Sequence, residues 1–213
     1  MRSSKPIPGN PWPHDMQITV MDDSQALLEL LWLREAWGLD PVGEDLPPRL
    51  VDTPSPVDGA ARSAAPLGMW REKWPELWRE CLHHSAEPLD LDALERLHAS
   101  EPGSDERGRL LRELAGPSWR EDVGPDALTE QIAQWMRRLS EQHVRRSRLP
   151  ASEQPEHAAL DALIPAWRSG LTTIVEIPCR GTYTRVIGSR ALLVTSETRS
   201  DPARYREALA VFP

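Results

Sequence analysis

Cys179 and Arg185 stand six positions apart in the stretch CRGTYTR, directly after the apolar run LTTIVEIP. A thiol and a guanidinium at that spacing, on a loop leaving a strand, have the makings of phosphoryl chemistry. The loop's backbone N–H groups would wrap a phosphate, the thiolate would attack phosphorus, and the arginine would clamp two oxygens. Asp201, further along the chain and followed by Pro202, would then protonate the leaving group.

This spacing resembles the signature of the cysteine-dependent phosphatases. The resemblance implies Cys179 as nucleophile, Arg185 as phosphate clamp and Asp201 as general acid. The neighbouring residues depart from that family's pattern. Its phosphate cradle is followed at once by a helix, whose aligned N–H groups lower the thiol pKa, whereas YTRVIGS reads as strand and turn. Gly181 comes one place early, Pro178 stands where a histidine is common in the protein-tyrosine branch, and neither serine nor threonine follows Arg185. A strand-end cysteine beside a hairpin accounts for the same residues, so a phosphatase-like enzyme using Cys179 and Arg185 is the alternative expectation.

Metal chemistry has one candidate group, Cys81, His83, His84 and His98. A helical zinc pair needs both ligands on one face, and a catalytic site needs three ligands. Cys81 and His84, three apart, share a face, but His98 would have to return on another helix and no carboxylate is placed with them. His83 and His84 at a helix end are dipole-compatible surface residues, so neither a metal nor another cofactor is expected. No nucleophile elbow and no glycine-rich phosphate loop opening a helix occurs. The paired carboxylates Asp22-Asp23 and Asp90-x-Asp92 sit where helix caps belong.

The stretch MWREKWPELWRECLHH, residues 69–84, sets Trp70, Trp74 and Trp78 at intervals of four. With Leu77 and Cys81 they span a sector of roughly 100°, the width of a core-facing stripe. Pro75 interrupts it. A proline inside a helix removes a hydrogen bond and clashes one turn back, at a cost of about 3 kcal/mol or more. The expectation is therefore a helix that begins at Pro75, with Trp78 and Cys81 in the core and Trp70 and Trp74 packing from the entering chain; core packing is the first reading, and a partly exposed edge open to a partner the second. Because tryptophan is enriched at binding hot spots, these two are the candidates for contact with a partner.

The chain of 213 residues, with 39% hydrophobic and 27% charged residues, is of the size and composition of a single domain spanning 1–213. Its net charge of −8 repels nucleic acid and anionic lipid at long range, which argues against both as partners. Lys5 and Lys73 are the only lysines, a coding bias of a GC-rich genome. Two cysteines are too few for a disulfide framework, and the first residues have no apolar segment of a secretory signal. The longest apolar run, ALLELLWL, is far short of about 20 residues and contains Glu29. A soluble cytoplasmic protein with reduced thiols is the expectation.

The elements that must position these residues follow from periodicity. MQITVM, residues 16–21, alternates as a short strand, and Asp22 with Gln25 looks like a capping box opening a helix that stops at Gly38. Residues 40–67 hold six prolines and no period, as a long loop or tether. From 69 to about 147 the pattern is helical, with caps at Asp90, Ser104 and Asp126. The last of these helices carries a stripe of Leu128, Ile132, Trp135, Met136, Leu139 and Val144 and an exposed basic end, Arg145, Arg146 and Arg148. A short helix with Leu160, Leu163, Ile164 and Trp167 comes next. Strands at about 171–177, 183–187 and 191–195 then form a small antiparallel sheet that 16–21 is able to join, and Asp201 with Pro202 opens a terminal helix. The fold class is α+β, mainly helical, with 171–213 as a hairpin-plus-helix subregion.

Without a convincing catalytic constellation, the expected function is non-enzymatic protein interaction, of an adaptor, immunity or regulatory kind. The acidic charge, the long proline-rich loop and the tryptophans all fit it. The oligomeric state has no signature in the sequence.

Overall fold

The computed structural model describes residues 11–88, 90–117, 119–124, 127–148 and 150–213. Four strands, β1 (Thr19–Met21), β2 (Thr173–Ile177), β3 (Thr184–Ile187) and β4 (Ala191–Thr195), form one sheet in the order β1-β2-β4-β3. The fold is α+β as expected, and the strands fall where alternation put them. The sheet is mixed, however, and not antiparallel: β1, β2 and β4 run parallel, and only β3 opposes β4. The β2–β3 connection passes over the end of β4, so the apparent hairpin of β2 with its successor is replaced by a parallel pairing with β4.

That topology explains the strand texture. Parallel strands are covered on both faces, and every residue of β2 and β4 is buried. Val175, Ile177 and Leu193 belong to one hydrophobic core, whereas Ile174, Leu192 and Val194 belong to a second on the opposite face. The period of two along each strand assigns alternate residues to the two cores.

The first core is built on α1 (Gln25–Ala36), in which Leu27 through Arg34 are all buried, as befits the central helix expected there. Its cap differs from the expectation. Ser24 is the N-cap and makes no side-chain cap bond, and Asp22 turns away to other partners. The segment after Leu39 is an ordered strap. It contains α2 (Gly59–Ala64), buries Leu50 and Val57, and bridges Leu50 to Cys179. Arg34 holds it from within, donating to the carbonyls of Pro47 (2.6 Å) and Pro48 (2.5 Å).

α3 (Leu67–Ala86) runs unbroken through Pro75, correcting the expected division into two pieces. Trp70 and Trp74 are 4% and 0% exposed, so neither lies at an exposed edge. Trp74 stacks on Trp78 with centroids 5.4 Å apart and donates to the Leu30 carbonyl at 2.9 Å, and Trp70 meets Trp37 edge-on. Each buried indole removes roughly 150–250 Å² from water. At about 25 cal/mol per Å² that is several kcal/mol apiece, which outweighs the local cost of the proline.

α4 (Leu91–Ala99) and α5 (Asp105–Ala115) pair with each other around Ala93, Leu97 and Leu110, capped by Asp90 and Ser104 as expected. α5 stops at Gly116, where a Cβ would strike the His84 ring, and the His84 ring nitrogen lies 3.2 Å from the Leu114 carbonyl. A short α6 (Trp119–Val123) follows. α7 (Glu130–Ser147) has Thr129 at its N-cap, and the expected cap Asp126 lies outside the described residues. Trp135 is buried and Met136 and Leu139 pack on the first core, but Val144, assigned to the same stripe, is 41% exposed.

The second core joins the sheet's other face to α9 (Leu160–Arg168) and α11 (Pro202–Ala210), and α8 (Pro155–Ala158) packs beside these two helices. α10 (Ser196–Ser200) directly follows β4. Asp201 caps α11 by accepting from the N–H groups of Ala203 and Arg204, as its sequence position predicts. Among the described residues no helix is long and apolar enough to cross a membrane.

Candidate functional site

The three parallel strands end side by side, and their carboxyl ends carry polar residues of a cleft. Asp22 and Asp23 follow β1, Pro178 follows β2 after the penultimate Glu176, and Ser196 follows β4. α7 roofs the site with Met136, Leu139, Ser140, His143 and Arg146. α1 supplies Leu28 and the strap supplies Val51 and Asp52. The cavity measures about 440 Å³. The carboxyl edge of a parallel sheet is where open α/β sheets bind ligands, because the strands end there while the connecting helices stand aside.

Behind the cleft lies a chain of buried charges. Glu176, whose side chain is 2% exposed, accepts from Ser196 Oγ at 2.6 Å and Arg146 on one oxygen and from Arg199 at 2.6 Å on the other. Arg199 also grips Glu156 through two parallel bonds of 2.8 and 2.9 Å, and Tyr205 Oη donates to the same carboxylate at 3.0 Å. Burial alone would push the Glu176 carboxyl up, but the attraction of Arg199 and then Arg146, with the Ser196 hydrogen bond, holds it below the usual range. Burial would lower the Arg199 guanidinium, and its bonds to Glu156 raise it well above the ordinary value instead. The Tyr205 hydroxyl is pushed far up by burial and by Glu156. The network ties α7, α8, α10 and α11 to one strand.

At the mouth, Asp22 is shared. One of its oxygens lies 2.9 Å from His143 Nδ1 and 3.7 Å from Arg146. Among the described residues its other oxygen, Oδ1, meets no partner, and neither does the exposed Asp23 carboxylate. Asp52 pairs with Arg138 at 3.2 Å on the surface. The His143–Asp22 approach is not aligned as a hydrogen bond, which leaves the buried Nδ1 without a hydrogen-bond partner, and the hydroxyl nearest the buried acids, Ser196, is already donated to Glu176; no proton relay is assembled here.

The residues singled out by sequence lie elsewhere. Cys179 is wholly buried and its thiol is pushed up to about 12, by burial above all. The amides after it diverge: Arg180 N–H goes to the Arg49 carbonyl at 2.8 Å, Gly181 N–H to Glu197 at 2.7 Å, and Tyr183 N–H to Thr198 Oγ1 at 3.2 Å. They do not converge on one point, and strand β3 follows them in place of a helix. Arg185 lies on β3 against Asp45 at 3.6 Å, and Asp201 is occupied as a cap. Trp70 and Trp74 are core residues. Cys81 is buried with its thiol also pushed up to about 12, chiefly by burial; His83 and His98 are exposed, and His84 serves the α5 terminus. No group of three or more His, Cys, Asp or Glu suited to a metal occurs among the described residues.

The cleft residues escaped sequence reasoning, though one signal was there. Glu176 interrupts the otherwise apolar LTTIVEIP, and a charge in a fully buried strand must be paired. Arg146, expected at an exposed basic helix end with Arg145 and Arg148, reaches the buried acid Glu176 instead. No family model, no curated protein and no solved structure matches the chain.

Proposed function

We propose that this protein acts in the cytoplasm as a non-enzymatic interaction protein, of an adaptor, immunity or regulatory kind, with the carboxyl-edge cleft as the surface that seats a segment of a protein partner. One observation carries the proposal: the cleft combines an apolar lining of Leu28, Val51, Met136, Leu139 and Pro178 with charges that are largely committed to one another. Such a surface binds well, because apolar area is available to bury and few polar groups must be stripped of water. It is a poor place for covalent chemistry, since the Ser196 hydroxyl is engaged and the nearby Cys179 thiol is buried and protonated. Trp70 and Trp74 then serve the interaction indirectly, by packing α3 against α1, which supplies Leu28 to the cleft. Both cysteines are free and buried, which fits a reducing compartment.

The test is site-specific photocrosslinking in extract of the native host. A crosslinker at Val51, on the rim, should yield one adduct of defined size, and the same group at Val211, which is 60% exposed and outside the cleft, should not. Ser140→Trp, made at an exposed position of the roof, should fill the mouth and suppress the adduct. Adducts that are equal from both positions, or indifferent to Ser140→Trp, would overturn the proposal.

A further inference from the structure

We infer that the segment taken by this cleft presents a basic side chain, arginine or lysine, beside an apolar one. The inference rests on the binding function proposed above and names the chemistry of its occupant. Four carboxylates line the cleft, Asp22, Asp23, Asp52 and Glu176, against Arg146 and His143. Glu176 is saturated by Arg199, Arg146 and Ser196, and Asp52 has Arg138. Negative charge is therefore left over at the mouth, on Asp23 and on Asp22, whose Oδ1 meets no partner among the described residues. An anionic segment would meet both carboxylates across an apolar lining, where charges are poorly screened.

Arg146 offers an anion little. One terminal nitrogen is bound to Glu176, another is 3.7 Å from Asp22, and its Nε, although without a partner, is buried beyond the reach of a ligand. A cation, by contrast, finds open acceptors at the mouth, and the methylene stem of arginine or lysine is suited to lie along Met136, Leu139 and Val51 with its charge at the rim. An apolar neighbour fills the remaining depth. The net charge of −8 adds long-range attraction for a basic partner.

The experiment is calorimetric titration of the full-length protein with three capped tripeptides at low salt: leucine-arginine-leucine, the same with citrulline at the centre, and the same with glutamate. Citrulline keeps the shape of arginine and removes its charge. The arginine peptide should bind at least tenfold more tightly than the citrulline peptide, and the glutamate peptide should not bind. Added salt should weaken the arginine peptide and leave the citrulline peptide unchanged. Asp23→Asn, at an exposed position, should cost the arginine peptide several-fold in affinity with no effect on citrulline, and Ser140→Trp should weaken both. Equal affinity for arginine and citrulline, tighter binding of glutamate, indifference to Ser140→Trp, or no binding of any peptide would each overturn the inference. If the Val51 adduct forms but the arginine peptide does not compete it away, the occupant's chemistry is wrong while the binding surface stands; if the adduct itself fails, the binding function falls first.

Discussion

Replacing Arg199 with methionine tests whether the buried charges hold the carboxyl edge together. Arg199 contributes three hydrogen bonds to two carboxylates, Glu156 and Glu176, whose side chains are 9% and 2% exposed. Methionine fills much of the same volume and leaves both acids without their shared cation. Removing one partner of a buried pair costs about 3–5 kcal/mol, because the remaining charge is stranded. With a urea dependence of roughly 2–3 kcal/mol per M for a chain of this size, the unfolding midpoint should fall by about 1–2 M. Adding Glu156→Gln to Arg199→Met should restore about 1 kcal/mol or more, since one stranded charge is removed with its partner. The pH dependence sharpens the test. In the native protein Glu176 is held below the usual carboxylate range, so its contribution is present above about pH 4.3 and is lost as pH falls through its lowered pKa. Without Arg199 the attraction that opposes burial is left to Arg146 and Ser196, so the carboxyl rises from its native position. The difference between the native protein and the variant should be full at pH 7 and narrow toward pH 4, where the variant's Glu176 takes up a proton. An unchanged midpoint, or a difference that widens on acidification, would refute the account of the network.

Two further perturbations address the residues that sequence put first. Cys179 and Cys81 should resist an aromatic disulfide reagent at pH 8 and react together once urea unfolds the chain, because both are buried and both thiols are held near 12; rapid labelling of Cys179 in the folded protein would contradict its burial. Pro75→Ala should stabilise the protein by roughly 1–3 kcal/mol, since α3 continues through the proline and alanine restores the missing N–H. A loss of stability in urea unfolding would mean that the ring's packing against the strap outweighs the helix hydrogen bond.

Sequence alone determined the features that arise between near neighbours. The caps at Asp90, Ser104 and Asp201 involve amides two or three residues away, the buried α1 follows from its almost continuous apolar residues, and the strands follow from alternation. These interactions are local, and a local pattern specifies them. Tertiary structure decided the rest, because its reasons lie far along the chain. Asp22 satisfies the local rule for a cap, yet its carboxylate goes to His143 and Arg146 once β1 is laid beside β2. The tryptophan stripe has the same spacing whether buried or exposed, and only the packing of α3 on α1 buries it. Pro75 breaks a helix by local energetics, and the burial of three indoles overrides that. The cleft is the clearest case. Asp22, Glu176 and Ser196 share no motif, and they meet because three strands from opposite ends of the chain run parallel and end together.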